Sequence, residues 1–149
     1  MLLYNSPQMR NFVKKKGAIG TIQMPIKTFL KLTSNTRLPR IKKEAMSVGE
    51  YNALALQGKI NTMPFIRILP NGKVKGHEGR HRSWSLYREG ERYIEVAIIV
   101  TKPDTEKGKG KNKTYETLPK FKSRDLPTIW EGQFSEVKLP VKLQTFKRM

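Results

Sequence analysis

The sequence predicts a small α+β domain in which a few short helices pack on a small mixed sheet. Apolar runs of strand length alternate with short helical segments along residues 18–101, and an Asn-Gly turn joins two of the strands. The near-continuous apolar run of residues 93–101 is typical of a central strand that is covered on both faces. With 149 residues, of which 37% are hydrophobic, the chain can build one modest core.

Charge is the strongest compositional signal. Thirty Lys and Arg residues against twelve Asp and Glu residues give a formal net charge of +18. A field of this size favours a polyanionic partner, most often nucleic acid; an anionic membrane surface and a basic protein without a dedicated partner are the alternatives. Residues 1–43 contain no acidic residue, which favours the neutralisation of phosphates.

Several classes of protein are excluded or disfavoured by composition. The chain has no cysteine, which excludes disulfides and thiolate zinc sites, and its two histidines are too few for a multi-histidine site, so we predict no metal site. No apolar run approaches the roughly 20 residues that span a bilayer, and residues 1–7 lack the apolar core of a signal peptide. We therefore expect a protein of the cytoplasm with no membrane span.

Residues typical of helix and strand ends divide the first half of the chain into elements. Its predicted elements are a basic N-terminal arm (1–17), a strand (18–24), a helix that follows Pro25 (26–32), a basic polar loop around Pro39 (33–43) and a second helix (48–57). Ser47 is a plausible N-cap, and Glu50 three residues later has the spacing of a capping box. Gly58 ends this helix.

The second half of the predicted domain surrounds a hairpin. Its elements are a strand (64–69), a turn (70–73), a short returning strand from Val74, a tight loop from Gly76, a helix (80–89) and the central strand (93–101). Asn71 and Gly72 accept the positive φ of a hairpin turn at little cost. Gly90 stops the helix. The predicted α+β domain therefore spans residues 18–101.

Residues 102–149 are predicted to be a basic flexible loop followed by an irregular C-terminal extension. The low-complexity run 107–113 is either a solvated loop or an arm that contacts nucleic acid. One strand is predicted at 136–143. Trp130, Phe134 and Phe146 either cover an edge of the domain or dock a protein partner.

The richest chemistry lies in residues 76–86, where both histidines of the chain occur. Glycines allow a sharp turn, and a helix that begins near residue 80 presents unpaired N–H groups to an anion. The predicted phosphate- or nucleotide-binding residues are Gly76, Gly79, Arg80, His81, Arg82 and Ser83. Glu78 and His81 are the candidate catalytic acid and base. The plainer alternative is that Glu78 pairs with Arg82 and that the arginines are ordinary surface charges.

Basic clusters elsewhere are candidates for contact with a nucleic-acid backbone. They lie in the arm, in the loop after the first helix and in the low-complexity run: Lys14, Lys15, Lys16, Arg37, Arg40, Lys42, Lys43, Lys107, Lys109, Lys111 and Lys113.

The segment Val74-Lys-Gly-His-Glu-Gly-Arg-His-Arg-Ser83, with the helix to Gly90 and the strand that follows, resembles the ParB/sulfiredoxin-like superfamily. The similarity covers about residues 18–101. Residues 79–82 match the family's Gly-x-x-Arg and Asp-Gly-x-His-Arg type loop, and Glu78 stands where Asp is common. The resemblance implies that this loop and the helix start bind a nucleotide or backbone phosphates.

Members of this superfamily include DNA-partitioning CTPases, nuclease-like proteins, sulfiredoxins and a free-serine kinase. Sulfiredoxin activity is excluded here because the catalytic cysteine is absent. The chain has no room for the helix-turn-helix domain of partitioning proteins, so a full partitioning role is not expected. Small stand-alone versions occur in phage and mobile elements, which implies the host cytoplasm or the virion as location.

The resemblance and the charge together predict a phosphate-binding domain that binds nucleic acid, DNA rather than RNA. A nucleoside triphosphate with Mg²⁺ is the implied cofactor, with nuclease or NTPase activity. The alternatives are a non-catalytic phage protein for nucleic-acid binding, packaging or the virion, and a regulator of a nucleic-acid enzyme. Only Glu78 offers a carboxylate at the loop, and two-metal hydrolases use several, so binding is favoured over hydrolysis.

Overall fold

A computed structural model of the chain describes residues 4–33, 38–118 and 146–149. Within these residues the α-helices are α1 (Pro7–Lys15), α2 (Ile26–Thr33), α3 (Leu38–Glu44), α4 (Val48–Leu56) and α5 (Arg80–Arg88). The strands are β1 (Gly20–Pro25), β2 (Phe65–Ile68), β3 (Val74–Glu78), β4 (Tyr93–Val100) and β5 (Lys147–Arg148). In this described part of the chain, no helix is long and apolar enough to cross a membrane.

The strands form one mixed sheet in the order β3-β2-β4-β1-β5. β2 runs parallel to β4, with Phe65 beside Ala97 and Ile68 beside Val100. The other neighbours are antiparallel. The parallel pair needs a crossover connection, which α5 supplies between β3 and β4. The predicted α+β class with a mixed sheet is confirmed.

The central strand β4 is buried on both faces after its first residue. Successive side chains of a strand point to opposite faces. One set joins the larger core cluster, which includes Phe29 of α2 and Leu86 of α5. The other set, Ala97 and Ile99, joins a smaller cluster beneath α1. The predicted double coverage is confirmed, and each fully buried aliphatic side chain stabilises the fold by about 1.5–3 kcal/mol.

Residues 1–17 were expected to be a basic arm, but residues 7–15 form helix α1. Met9 and Val13 lie one helical turn apart and are both buried against the sheet. Ser6 caps the helix by accepting a hydrogen bond from the Met9 N–H, and Arg10 forms an ion pair with Glu95 of β4. The short apolar stripe therefore anchors the segment, while its lysines stay exposed.

The segment 33–43 also differs from the predicted loop, because α3 occupies most of it. Pro39 lies in the first turn, where its missing N–H leaves no hydrogen bond unmade. Ile41 is buried and fastens the helix to the core. Arg37, predicted to contact nucleic acid, lies outside the described residues.

Helix α4 begins where the sequence predicts. The Ser47 hydroxyl accepts a hydrogen bond from the Glu50 N–H at 3.1 Å, which satisfies one of the unpaired donors of the first turn. The Glu50 carboxylate accepts a hydrogen bond from that hydroxyl at 3.1 Å. Gly58 follows the end of the helix with φ +73°, a conformation that suits glycine.

Residues after β4 close back on the sheet. Thr101 bridges to Thr117 and Lys107 to Thr114, with a 3-10 helix at Gly110–Asn112 between the two arms of the loop. The loop of residues 102–118 is therefore held at its base, although its composition predicts a flexible segment.

The final residues pair with the sheet as β5. Phe146 packs against the core, and a β-carbon on Gly20 would overlap its ring, so glycine makes room for it. Phe146 thus covers an edge, as one of the two predicted roles requires. Trp130, Phe134 and the predicted strand 136–143 lie outside the described residues.

Candidate functional site

A single residue, Gly79, connects β3 to α5. Gly79 has φ +104° and follows directly after Glu78, the last residue of β3. A β-carbon at Gly79 would lie 2.8 Å from Cβ of Pro64, so both the conformation and the space require glycine. The predicted tight loop from Gly76 is therefore corrected: residues 76–78 continue the strand, because their backbone pairs with β2.

A polar cleft of about 420 Å³ opens beside the first turn of α5. Three segments build it: the β3–α5 turn with the start of α5, the connection between α4 and β2, and Tyr51 of α4. Its lining consists of Tyr51, Lys59, Ile60, Asn61, Thr62, Glu78, Gly79, His81 and Arg82. Gly79 has no side chain with which to cap α5, and the cleft lies at this N-terminal end of the helix, where the helix dipole is positive.

Arg82 is the buried cation of this cleft, only 7% exposed. Its Nη1 donates a hydrogen bond to the Thr62 carbonyl at 2.7 Å, which fastens the 59–62 connection to α5. Burial lowers the pKa of the Arg82 guanidinium, and the negative charge of nearby Glu78 opposes that shift. Arginine nevertheless remains charged in proteins, so an anion in the cleft would stabilise a cation that burial disfavours.

His81 projects from the first turn of α5 with 40% of its side chain exposed. Its Nε2 lies 3.0 Å from Oε2 of Glu44, and the Arg40 Nε donates to the other carboxylate oxygen at 2.6 Å. Arg40 and then His81 lower the pKa of Glu44, so the carboxylate stays ionised and orients the imidazole. The pair has the form of a proton-transfer group held by a second residue.

Glu44 is a residue that the sequence analysis missed. It precedes His81 by 37 positions and directly follows the segment 33–43 that is predicted to be a loop. Lys59, Asn61 and Thr62 were also missed. Their only local signal is that a short polar run precedes Pro64 and the β2 strand.

Glu78 lines the cleft and is exposed. Its carboxylate accepts a hydrogen bond from the N–H of Gly79 at 3.1 Å. The two predicted catalytic residues, Glu78 and His81, therefore share one cleft with Gly79 and Arg82. Among the described residues, no three histidine, cysteine or acidic side chains gather as they would around a metal ion.

Three predicted phosphate ligands lie elsewhere. Ser83 is fully buried, and its hydroxyl donates to the Arg80 carbonyl at 2.8 Å, because helical geometry turns it toward the core. Gly76 sits beneath the Arg67 side chain, whose Nε would be 3.0 Å from a β-carbon. Arg80 begins α5 and is half-buried, but it does not line the cleft.

Two of the predicted basic clusters lie near this end of the sheet. Lys14, Lys15 and Lys16 are exposed at the end of α1. The Lys16 ammonium is 5.4 Å from the ring centroid of Phe65, the residue that pairs with Glu78. On α3, Arg40, Lys42 and Lys43 are exposed beside the Glu44–His81 contact.

The lysines of the 102–118 loop lie near the opposite end of β2. Lys107, Lys109 and Lys113 are exposed, and Lys113 pairs with Glu106 at 2.8 Å. Glu106 also accepts from Arg67 at 3.0 Å. The side chain of Lys111 lies outside the described part of the structure.

Comparison of the chain with protein-family models, curated proteins and solved structures gave no match.

Proposed function

We propose that this chain is a small nucleic-acid-binding protein that holds one phosphate group in the cleft beside α5. The observation that supports the proposal most directly is the convergence of Lys59, His81 and the buried Arg82 on a polar cleft of about 420 Å³. Charge-assisted donors of this kind, together with a helix N-terminus, favour phosphate over an uncharged ligand.

The partner is proposed to be nucleic acid because the basic surface extends well beyond the cleft. Part of the formal charge of +18 is carried by exposed lysines on α1 and α3. Lys16 lies near Phe65, which pairs with Glu78, and α3 carries Glu44, which contacts His81. A chain of phosphates would satisfy both the cleft and these lysines. The resemblance to ParB/sulfiredoxin-like domains supports the same proposal and favours DNA, since their corresponding loop holds nucleotide or backbone phosphates.

Catalysis is proposed as a second property of the same cleft. His81 is oriented by Glu44 and could move a proton, and Glu78 could act as a base or hold Mg²⁺ with a nucleoside triphosphate. Lys59 and Arg82 would then bind the phosphates. Glu78 is the carboxylate among the lining residues, whereas two-metal hydrolysis uses several, so binding is the primary proposal.

The binding proposal is tested by comparing Lys59→Ala with Lys73→Ala. Both variants lose one positive charge, but Lys73 is exposed in the β2–β3 turn, away from the cleft. Lys59→Ala should weaken binding of a labelled oligonucleotide about tenfold, because a hydrogen bond to a charged group contributes roughly 1.5 kcal/mol. Fluorescence anisotropy at low salt measures the affinities, and Lys73→Ala should stay near wild type.

Equal losses in the two variants would favour the alternative, a non-catalytic protein that binds nucleic acid through its general field alone. No binding by the wild type at low salt would refute both readings. For catalysis, phosphate release from nucleoside triphosphates with Mg²⁺ should disappear in His81→Gln, while binding weakens only in part because Lys59 and Arg82 remain in the cleft. A wild type that releases no phosphate would refute catalysis and leave the binding proposal standing.

A further inference from the structure

Helix α5 carries a pair of stacked aromatic rings, Trp84 and Tyr87, three and six positions after the cleft residue His81. The rings of Trp84 and Tyr87 are 5.5 Å apart between centroids and inclined by 26°. Both residues are partly exposed, and both also pack against the larger core cluster. His81, Trp84 and Tyr87 follow one another at intervals of three residues, the spacing of neighbours on a helix.

Cations from three separate segments gather over these rings. The Lys42 ammonium of α3 lies 4.7 Å from the Trp84 centroid. The Arg92 guanidinium lies 4.6 Å and the Lys27 ammonium 5.7 Å from the Tyr87 centroid. All three side chains belong to exposed residues, where cation–π contacts are weak. A ligand with both anionic groups and flat rings could therefore displace them.

We infer that this surface binds single-stranded nucleic acid, with its bases against Trp84 and Tyr87 and its phosphates on Lys42, Lys27 and Arg92. Aromatic rings beside cations are the usual means of binding an unpaired strand, because every base has a flat face and every nucleotide a phosphate. A duplex keeps its bases stacked inside and cannot offer them to the rings.

The inference rests on the proposed function and specifies the form of nucleic acid that it uses. Tyr87 follows His81 by six positions, which corresponds to about 9 Å along a helix. A strand with one phosphate in the cleft could therefore pass over both rings within two or three nucleotides. Lys42 and Glu44 lie on the same helix, and α3 thus borders both the cleft and the aromatic surface.

The fluorescence of Trp84 gives a direct test. The chain has two tryptophans, so Trp130→Phe leaves Trp84 as the sole indole fluorophore. A single-stranded oligonucleotide should quench this fluorescence, since stacked bases quench indole emission. Inorganic polyphosphate, which can neutralise the cations but cannot stack, and duplex DNA should leave most of the emission unquenched.

Affinity measurements complete the test. Trp84→Leu should weaken single-strand binding about tenfold, the effect expected from the loss of one base–aromatic stack, while duplex binding changes little. Trp84→Phe keeps an aromatic face and should retain most of the affinity. Thermal melting of each variant verifies that it is folded.

Different results would contradict different parts of the inference. Single-strand binding without quenching, or equal quenching by polyphosphate, would overturn the stacking surface and leave the phosphate cleft intact. Equal losses for single strand and duplex in Trp84→Leu would overturn the preference for unpaired strands. Failure of every nucleic acid to bind would overturn the proposed function itself.

Discussion

At the scale of single residues, Gly79 decides how the candidate site is built. It reverses the chain between β3 and α5 with φ +104°, close against Pro64. Gly90 ends the same helix with nearly the same backbone angle, φ +102°, but nothing lies within 4 Å of the position of a β-carbon. A substitution at Gly90 therefore tests the cost of the positive φ alone, whereas one at Gly79 also tests the cost of the steric contact with Pro64.

Alanine substitution at the two positions should give different losses of stability. Gly90→Ala should lower the free energy of unfolding by about 1 kcal/mol, from the unfavourable positive φ alone. Gly79→Ala should cost about 2–4 kcal/mol, because the new methyl group also meets Pro64. Urea unfolding measures both values. Equal losses would show that the packing against Pro64 does not constrain this turn.

At the scale of elements, the 102–118 loop is tied to the sheet by buried Arg67 of β2. The Arg67 guanidinium donates to Glu106 at 3.0 Å and lies 4.1 Å from the ring centroid of Tyr115. Lys113 approaches the same carboxylate at 2.8 Å. Lys113 and then Arg67 lower the pKa of Glu106 below its ordinary 4.5. The loop thus depends on an ionised Glu106.

This dependence predicts how pH affects stability. Because the folded pKa of Glu106 is depressed, its contribution is fully present above the unfolded value of 4.5 and is lost as pH falls through the folded pKa. Glu106→Gln should therefore melt below wild type near neutral pH, and the difference should shrink in acid. Melting temperatures of the wild type and the variant, measured from neutral to acidic pH, test this prediction.

Glu116→Gln is the matched control for this experiment. Glu116 pairs with Lys102 at 3.2 Å, but the two side chains are 66% and 49% exposed, so the pair should contribute little. The control should follow the wild-type profile. A Glu106→Gln variant that melts like the control at every pH would contradict the role of Glu106.

At the scale of the whole molecule, positive charge is spread unevenly. The Lys16 ammonium lies 5.4 Å from the centroid of the Phe65 ring, at the cleft end of β2, whereas Lys113 of the 102–118 loop pairs with Glu106 near the other end of that strand. A protein that neutralises about four phosphates of a single strand should lose roughly 50-fold in affinity when salt rises about fourfold. The slope of log affinity against log salt concentration gives the number of phosphates that the protein neutralises.

Two triple variants locate that contact surface. Replacing residues 14–16 by glutamine should reduce both the affinity and the salt slope. Replacing Lys107, Lys109 and Lys111 by glutamine removes the same charge and should have the smaller effect, because these lysines lie on the loop away from the cleft. Anisotropy titrations at several salt concentrations compare them. Equal reductions would indicate a diffuse field without a preferred end.

Much of the secondary structure was predictable because it depends on neighbours in sequence. The apolar run of β4, the Ser47 cap and the glycines around α5 act within a few residues. The predicted turn at 70–73 also forms, although Gly72 (φ +90°) and not Asn71 adopts the positive φ. Composition predicts an arm and a loop where the structure has α1 and α3, because a few buried apolar side chains stabilise these two basic helices. Met9 and Val13 of the basic helix α1 are buried against the sheet, and Ile41 is the buried residue of α3.

Local sequence patterns are enough to predict the α+β character, the start of α5 and the presence of Glu78, Gly79, His81 and Arg82 at one turn. Which residues face that turn depends on tertiary packing. The Arg82 guanidinium donates to the carbonyl of Thr62, 20 positions earlier in the sequence, and the His81 ring contacts the carboxylate of Glu44, 37 positions earlier. The Lys42 ammonium lies over the ring of Trp84. These contacts depend on how the helices pack on the sheet, which no local pattern specifies. The same packing turned Ser83 into the core and opened the cleft beside it.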